Sequence, residues 1–234
     1  MTPAVAGDHL YIGSCSGKLF ALDRKTGQAA WTYDTAADGP AAQFHGDLLV
    51  TDRLVVVGTD SVPRGYLYAL ERSNGTVRWK HAFPGGVGAQ ILRRGDAAFA
   101  VTASGEVVAV DLESGGIVWK TSPPAEVGDR QLDPALDGDR LFVGWRPGPV
   151  EALDASTGRR IWRTDLGERL NTSVVVVGST VVVGTLSGRL HRLNREDGRA
   201  LAPVELGGML YGDLVETGGC LLSLRAETDG PFTL

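Results

Sequence analysis

Gln43, His45, Gln90, Arg130, Asp133, Asn171 and Tyr211 each stand where the chain enters a short apolar run. Histidine is the side chain that exchanges a proton near neutral pH, which makes His45 the natural general base of this set. Arg130 would hold an anionic group, and Asp133 would orient a cation or the imidazole. The amides of Gln43, Gln90 and Asn171 and the Tyr211 hydroxyl would complete a polar ring around a small ligand. That chemistry suits a hydrolase or lyase acting on a small polar substrate, or a sensor of one. The alternative is that these are ordinary solvated side chains on a module that binds another protein.

Other chemistries lack their patterns. His9, His45, His81 and His191 stand far apart, with no HExxH pair, so no metal site is expected. "NREDG" at 194–198 lacks the twelve-residue spacing of a calcium loop. Cys15 and Cys220 make no disulfide framework and are expected as free, partly buried thiols. "GSCSG" at 13–17 looks like a nucleophile elbow with cysteine in place of serine. An elbow needs a strand-to-helix turn, whereas this segment aligns with "GTLSG" at 184–188, a predicted turn between two strands.

The elements that must position these residues come from a repeat. "ALDRKTGQAAW" at 21–31 returns as "ALERSNGTVRW" at 69–79, "AVDLESGGIVW" at 109–119 and "ALDASTGRRIW" at 152–162. Six aligned glycines, Gly17, Gly65, Gly105, Gly148, Gly188 and Gly230, follow at spacings of 48, 40, 43, 40 and 42 residues. Within a unit, short alternating runs are broken by turns, the pattern of strands. In the first unit "TPAVAG", "HLYIGS", "KLFALD" and "QAAWTYD" are the four predicted strands. In the turn before the last strand, an Asp accepts backbone N–H bonds and a Gly takes the left-handed position. One such sheet cannot bury both its faces, and radial stacking of several can.

The fold class is therefore all-β, a β-propeller of about six four-stranded antiparallel blades with the last incomplete. The expected units are 2–34, 44–82, 88–121, 132–165, 171–205 and 211–234 of a single domain 1–234. Trp31, Trp79, Trp119 and Trp162 are expected in equivalent, largely buried sites between neighbouring blades. The fifth copy carries Ala202 there, and the sixth ends at "GPFTL". The sixth unit leaves a sheet edge near Pro231, and a fragment of a larger ring is the rival to a six-bladed one. Trp145, in the "GWRPG" turn, is expected to be more exposed than the other four.

"YIGSCSGKLFALDRKTGQAAWTY" at 11–33 resembles the repeat of the pyrroloquinoline-quinone (PQQ)-like propeller superfamily, whose blades carry an Ala-x-Asp-x-x-x-Gly-x-x-x-Trp docking motif. The resemblance covers the whole chain. It implies the propeller, but its members range from quinoprotein dehydrogenases to assembly scaffolds and kinase sensor domains. The dehydrogenases use adjacent cysteines and a calcium-bound cofactor. This chain has no Cys–Cys pair, so no cofactor is expected and PQQ is not expected to bind tightly. The resemblance favours an extracytoplasmic protein that presents its loops to a protein partner, as a monomer or an edge-mediated homo-oligomer.

Composition narrows the partners. The chain has 234 residues and a net charge of −5, with no basic tract, which argues against nucleic acid and anionic membrane surfaces. No apolar stretch reaches the roughly 18 residues of a membrane span, and residues 1–14 lack the pattern of a signal peptide. Glycine, at 32 residues, is about twice its usual share, as a turn-rich fold requires.

Overall fold

The computed structural model of the protein describes residues 2–38, 43–121, 132–146, 148–217 and 220–226. They fall into two compact units, Met1–Pro123 and Pro124–Leu234. The first holds three sheets, each made by consecutive antiparallel hairpins. These are β1 (Ala4–Ala6) to β4 (Ala29–Asp34), through β2 (His9–Gly13) and β3 (Lys18–Asp23). Next come β5 (Leu49–Val50), β6 (Leu54–Gly58), β7 (Asp60–Glu71) and β8 (Val77–Gly86), then β9 (Leu92–Arg94), β10 (Ala97–Val101), β11 (Val107–Asp111) and β12 (Ile117–Lys120). The second unit holds β13 (Ala135–Asp137), β14 (Arg140–Gly144), β15 (Pro149–Asp154) and β16 (Arg160–Asp165), followed by β17 (Val175–Val177), β18 (Thr180–Gly184), β19 (Arg189–Asn194) and β20 (Val204–Glu205). It ends on a two-stranded pair, β21 (Met209–Thr217) and β22 (Cys220–Ala226). Gly230 and Pro231 of the sixth repeat lie outside the described residues.

The four strands expected in the first repeat are all present, because alternation and turn chemistry are local signals. The middle strands bury both faces. Val55, Val57, Tyr68 and Leu70 pack with Tyr11, Leu19 and Ala21 of the first sheet. The alternate residues Leu54, Val56, Leu67 and Ala69 pack with Ala98, Ala100, Val108 and Val110 of the third. In the second unit Phe142, Val150 and Ala152 meet Val174, Val181 and Val183 in the same way. A period of two thus serves two cores at once, which is why these strands read as near-continuous apolar runs. First strands of successive sheets adjoin, β1 with β5, and β13 with β17 and β17 with β21.

The turn before each fourth strand behaves as its residues dictate. Asp23 Oδ1 accepts the N–H groups of Lys25 and Thr26 at 2.9 and 2.7 Å and the Thr26 hydroxyl at 3.0 Å. Asp154 Oδ1 repeats this with Ser156 and Thr157. These donors, led by Thr26 for Asp23 and Thr157 for Asp154, hold both carboxyls below their ordinary range.

Trp31, Trp79, Trp119 and Trp162 pair with Ala21, Ala69, Ala109 and Ala152, so the four sites are equivalent in register. At each, the register slips by one residue just before the tryptophan. That β-bulge bends the strand and raises its local twist. Trp31 donates its indole N–H to the Arg72 carbonyl, Trp79 to that of Leu112 and Trp162 to that of Arg195, at 2.9–3.0 Å. Each acceptor belongs to the turn of the next sheet. Trp79 and Trp162 are buried, at 9% and 8% exposure, and Trp31 and Trp119 are half-buried. Where Ala202 replaces the tryptophan, the outer strand β20 shrinks to two residues.

Trp145 corrects an expectation: it is buried, at 5% exposure. It directly follows β14, in the place held by Thr59, Thr102 and Thr185 after β6, β10 and β18, and those three are also fully buried. The residue after the second strand continues the inward alternation, and the turn it opens closes behind it through Trp145 N–H to Pro149 O at 2.8 Å.

Candidate functional site

In the first unit the segment ahead of β5 is pinned by Phe44, 1% exposed among Tyr11, Val57 and Tyr68. That anchor leaves Gln43 and His45 on either side of it exposed. Gln43 bridges to Asp60, whose N–H donates to the Gln43 carbonyl at 3.0 Å. Asp60 opens β7, which at 12 residues is twice the length of β3 and β15. The added length carries its carboxylate to His45.

His45 Nδ1 lies 2.8 Å from both Asp60 carboxylate oxygens. Its Nε2 lies 3.6 Å from Cys15 Sγ. Cys15 and Cys220 are exposed rather than partly buried as expected; Cys15 stands on the β2–β3 turn, closed by Gly17 N–H to Ser14 O at 3.1 Å with Gly17 at φ 79°. The predicted hairpin turn at "GSCSG" is therefore what forms. A carboxylate only accepts, so in the neutral imidazole Nδ1 carries the hydrogen and Nε2 turns its lone pair to the thiol. Asp60 is not among the sequence candidates, and Cys15 is read from the sequence only as a turn residue and a free thiol. The only trace of the arrangement in the sequence is the first repeat spacing of 48 residues against 40–43 for the rest.

The other candidates divide between the two units. Gln90 is half-buried between buried Ala89 and Ile91, ahead of β9. Asp133 belongs to the second unit, where its carbonyl accepts the Val174 N–H at 3.0 Å. Asn171, 9% exposed, donates its amide to the Leu210 carbonyl at 2.7 Å and so ties the segment before β17 to β21. Tyr211 lies within β21, exposed, with its hydroxyl 3.5 Å from Met209 Sδ. Arg130 lies outside the described residues.

A second charged cluster also escaped the sequence reading. Glu168 accepts the Ser187 hydroxyl and the Arg189 guanidinium, the latter at 2.6 Å, and Arg189 also meets Glu205 at 2.8 Å. The Ser187 hydrogen bond, followed by Arg189, holds the Glu168 carboxyl down to about 2.

Comparison with known proteins places this architecture. The family model described as "Outer membrane protein assembly factor BamB" matches residues 1–144, 63–208 and 146–225 in overlapping stretches. Among curated relatives, the outer membrane protein assembly factor BamB of Yersinia pestis is 29% identical over 247 residues, covering 99% of this chain and 60% of the relative. That of Bordetella pertussis is 26% identical, covering 96% and 62%. The chain thus spans about three fifths of the length of these relatives. The crystal structure of BamB from Moraxella catarrhalis superposes with a TM-score of 0.77 at 24% identity, covering 98% of this chain and 70% of that one. The fold is the β-propeller expected from the repeat. From its strand pattern, its docking tryptophans and a match over nearly its whole length, the chain belongs to the PQQ-like repeat family described as outer membrane protein assembly factor BamB.

Proposed function

We propose that this chain is a non-catalytic, protein-binding module that works in outer-membrane protein assembly, outside the cytoplasm. The observation that carries the reading is the family match from residue 1 to residue 225, with relatives that bear that name. The build of the molecule suits it. Among the described residues, the turns opened by Asp23, Asp111, Asp154 and Asn194 are each held by that side chain's own hydrogen bonds, so a partner docking there would cost those turns little conformational entropy. The net charge of −5 directs the choice of partner toward protein and away from nucleic acid.

The test is complementation. The chain, exported to the periplasm of a strain that lacks its own assembly factor of this family, should restore outer-membrane porin levels. It should also co-purify with the purified assembly machinery. Correctly folded chain in the periplasm with no gain in porin assembly and no association would defeat the proposal.

A further inference from the structure

We propose that Cys15, His45 and Asp60 form a nucleophilic thiol site that accepts the acyl group of an activated ester or thioester. This goes beyond the scaffold role, which needs no chemistry at Cys15. The geometry is that of a nucleophile, a base and the group that orients the base. Asp60 engages Nδ1 through both oxygens at 2.8 Å, and the opposite nitrogen faces Sγ at 3.6 Å. Because thiol and carboxylate sit on opposite ring nitrogens, the three donors do not converge on one point. No group of three such side chains among the described residues is arranged to hold a metal ion.

The three residues come from separate segments that are each fixed. Cys15 rides a closed hairpin turn, His45 follows the buried Phe44, and Asp60 is bridged to Gln43.

The step balances without an oxidant. Sγ attacks the acyl carbonyl carbon and forms the S–C bond while the thiol proton passes to His45 Nε2. The tetrahedral intermediate expels an alkoxide or thiolate, which takes that proton back from Nε2. The products are S-acyl Cys15 and the free alcohol or thiol. Cys15 is exposed rather than enclosed, so the donor class is a small acyl group presented at the surface.

Cys220, also exposed and free, supplies an internal control. The purified chain is mixed with p-nitrophenyl acetate, and nitrophenolate release is followed together with peptide-mapped acetylation. Cys15 should acetylate well ahead of Cys220, and Cys15→Ser should remove the fast phase. His45→Ala should slow it by about 10²-fold, the low end for a positioned base, and Asp60→Asn should slow it less. The Cys220 rate should stay unchanged throughout. Equal rates at the two cysteines of the unmodified chain would overturn the proposal whether or not the variants fold. So would a His45→Ala protein with an intact melting transition and an undiminished Cys15 rate.

Discussion

The indole of Trp79 covers Gly115 of the neighbouring sheet so closely that a Cβ on that glycine would lie 2.5 Å from the ring's Cγ. Trp31 stands in the same relation to Gly75, and Trp162 to Gly198. All three glycines hold φ between 73° and 74°. The glycine of the repeat is therefore required twice, by its backbone and by the ring of the sheet before it. Gly27, at φ 71°, has nothing within 4 Å of its Cβ direction.

That contrast separates the two requirements. Gly27→Ala should cost about 1–2 kcal/mol from the left-handed backbone alone. Gly115→Ala should cost a further 1–3 kcal/mol or so from overpacking against Trp79. Urea unfolding of the two variants measures the difference. Equal losses would mean that the Trp79 ring yields freely.

Replacing Trp145 by alanine should destabilise as severely as Trp162→Ala, by about 3–5 kcal/mol, since both are large buried side chains. Acrylamide should quench Trp145 no more readily than Trp162 in single-tryptophan variants. A readily quenched Trp145 would restore the exposed turn expected from the sequence.

Glu168 predicts a pH dependence. Its folded carboxyl is depressed from 4.5 to about 2 by Ser187 and Arg189, so the unfolded chain binds its proton first as pH falls. The stabilisation is complete above about pH 4.5 and is lost progressively as pH falls toward 2. Glu168→Gln should lower the melting temperature at pH 7, and the gap from the unmodified chain should close across that window. A gap that stays constant from pH 7 to pH 2.5 would exclude this origin.

Arg72 joins the first two sheets. Its guanidinium donates to the Tyr11 hydroxyl at 3.0 Å, the Ala6 carbonyl at 3.0 Å and the Thr51 carbonyl at 3.3 Å. Lysine keeps the charge but lacks the planar fork. Arg72→Lys should therefore lose about 2 kcal/mol in chemical denaturation, the scale of charged hydrogen bonds left unmade.

The sequence by itself determined the repeat, the hairpin order and the register of the docking tryptophans. Each rests on local physics: alternation of period two, glycine at left-handed turn positions and Asp side chains that bond two or three residues ahead. Two outcomes needed the tertiary structure. The one-residue slip before each tryptophan aims the ring at the next sheet, and no residue type in "QAAW" or "TVRW" announces it. The partners of His45 were equally hidden. Cys15 belongs to another sheet and Asp60 to an extension of β7, so their meeting depends on how two twisted sheets pack and on how far one hairpin reaches. Asn171 teaches the converse. Its chemistry reads as ligand-binding, and the fold gives one of its amide N–H groups a structural partner in the Leu210 carbonyl, because a buried polar group must find a hydrogen bond.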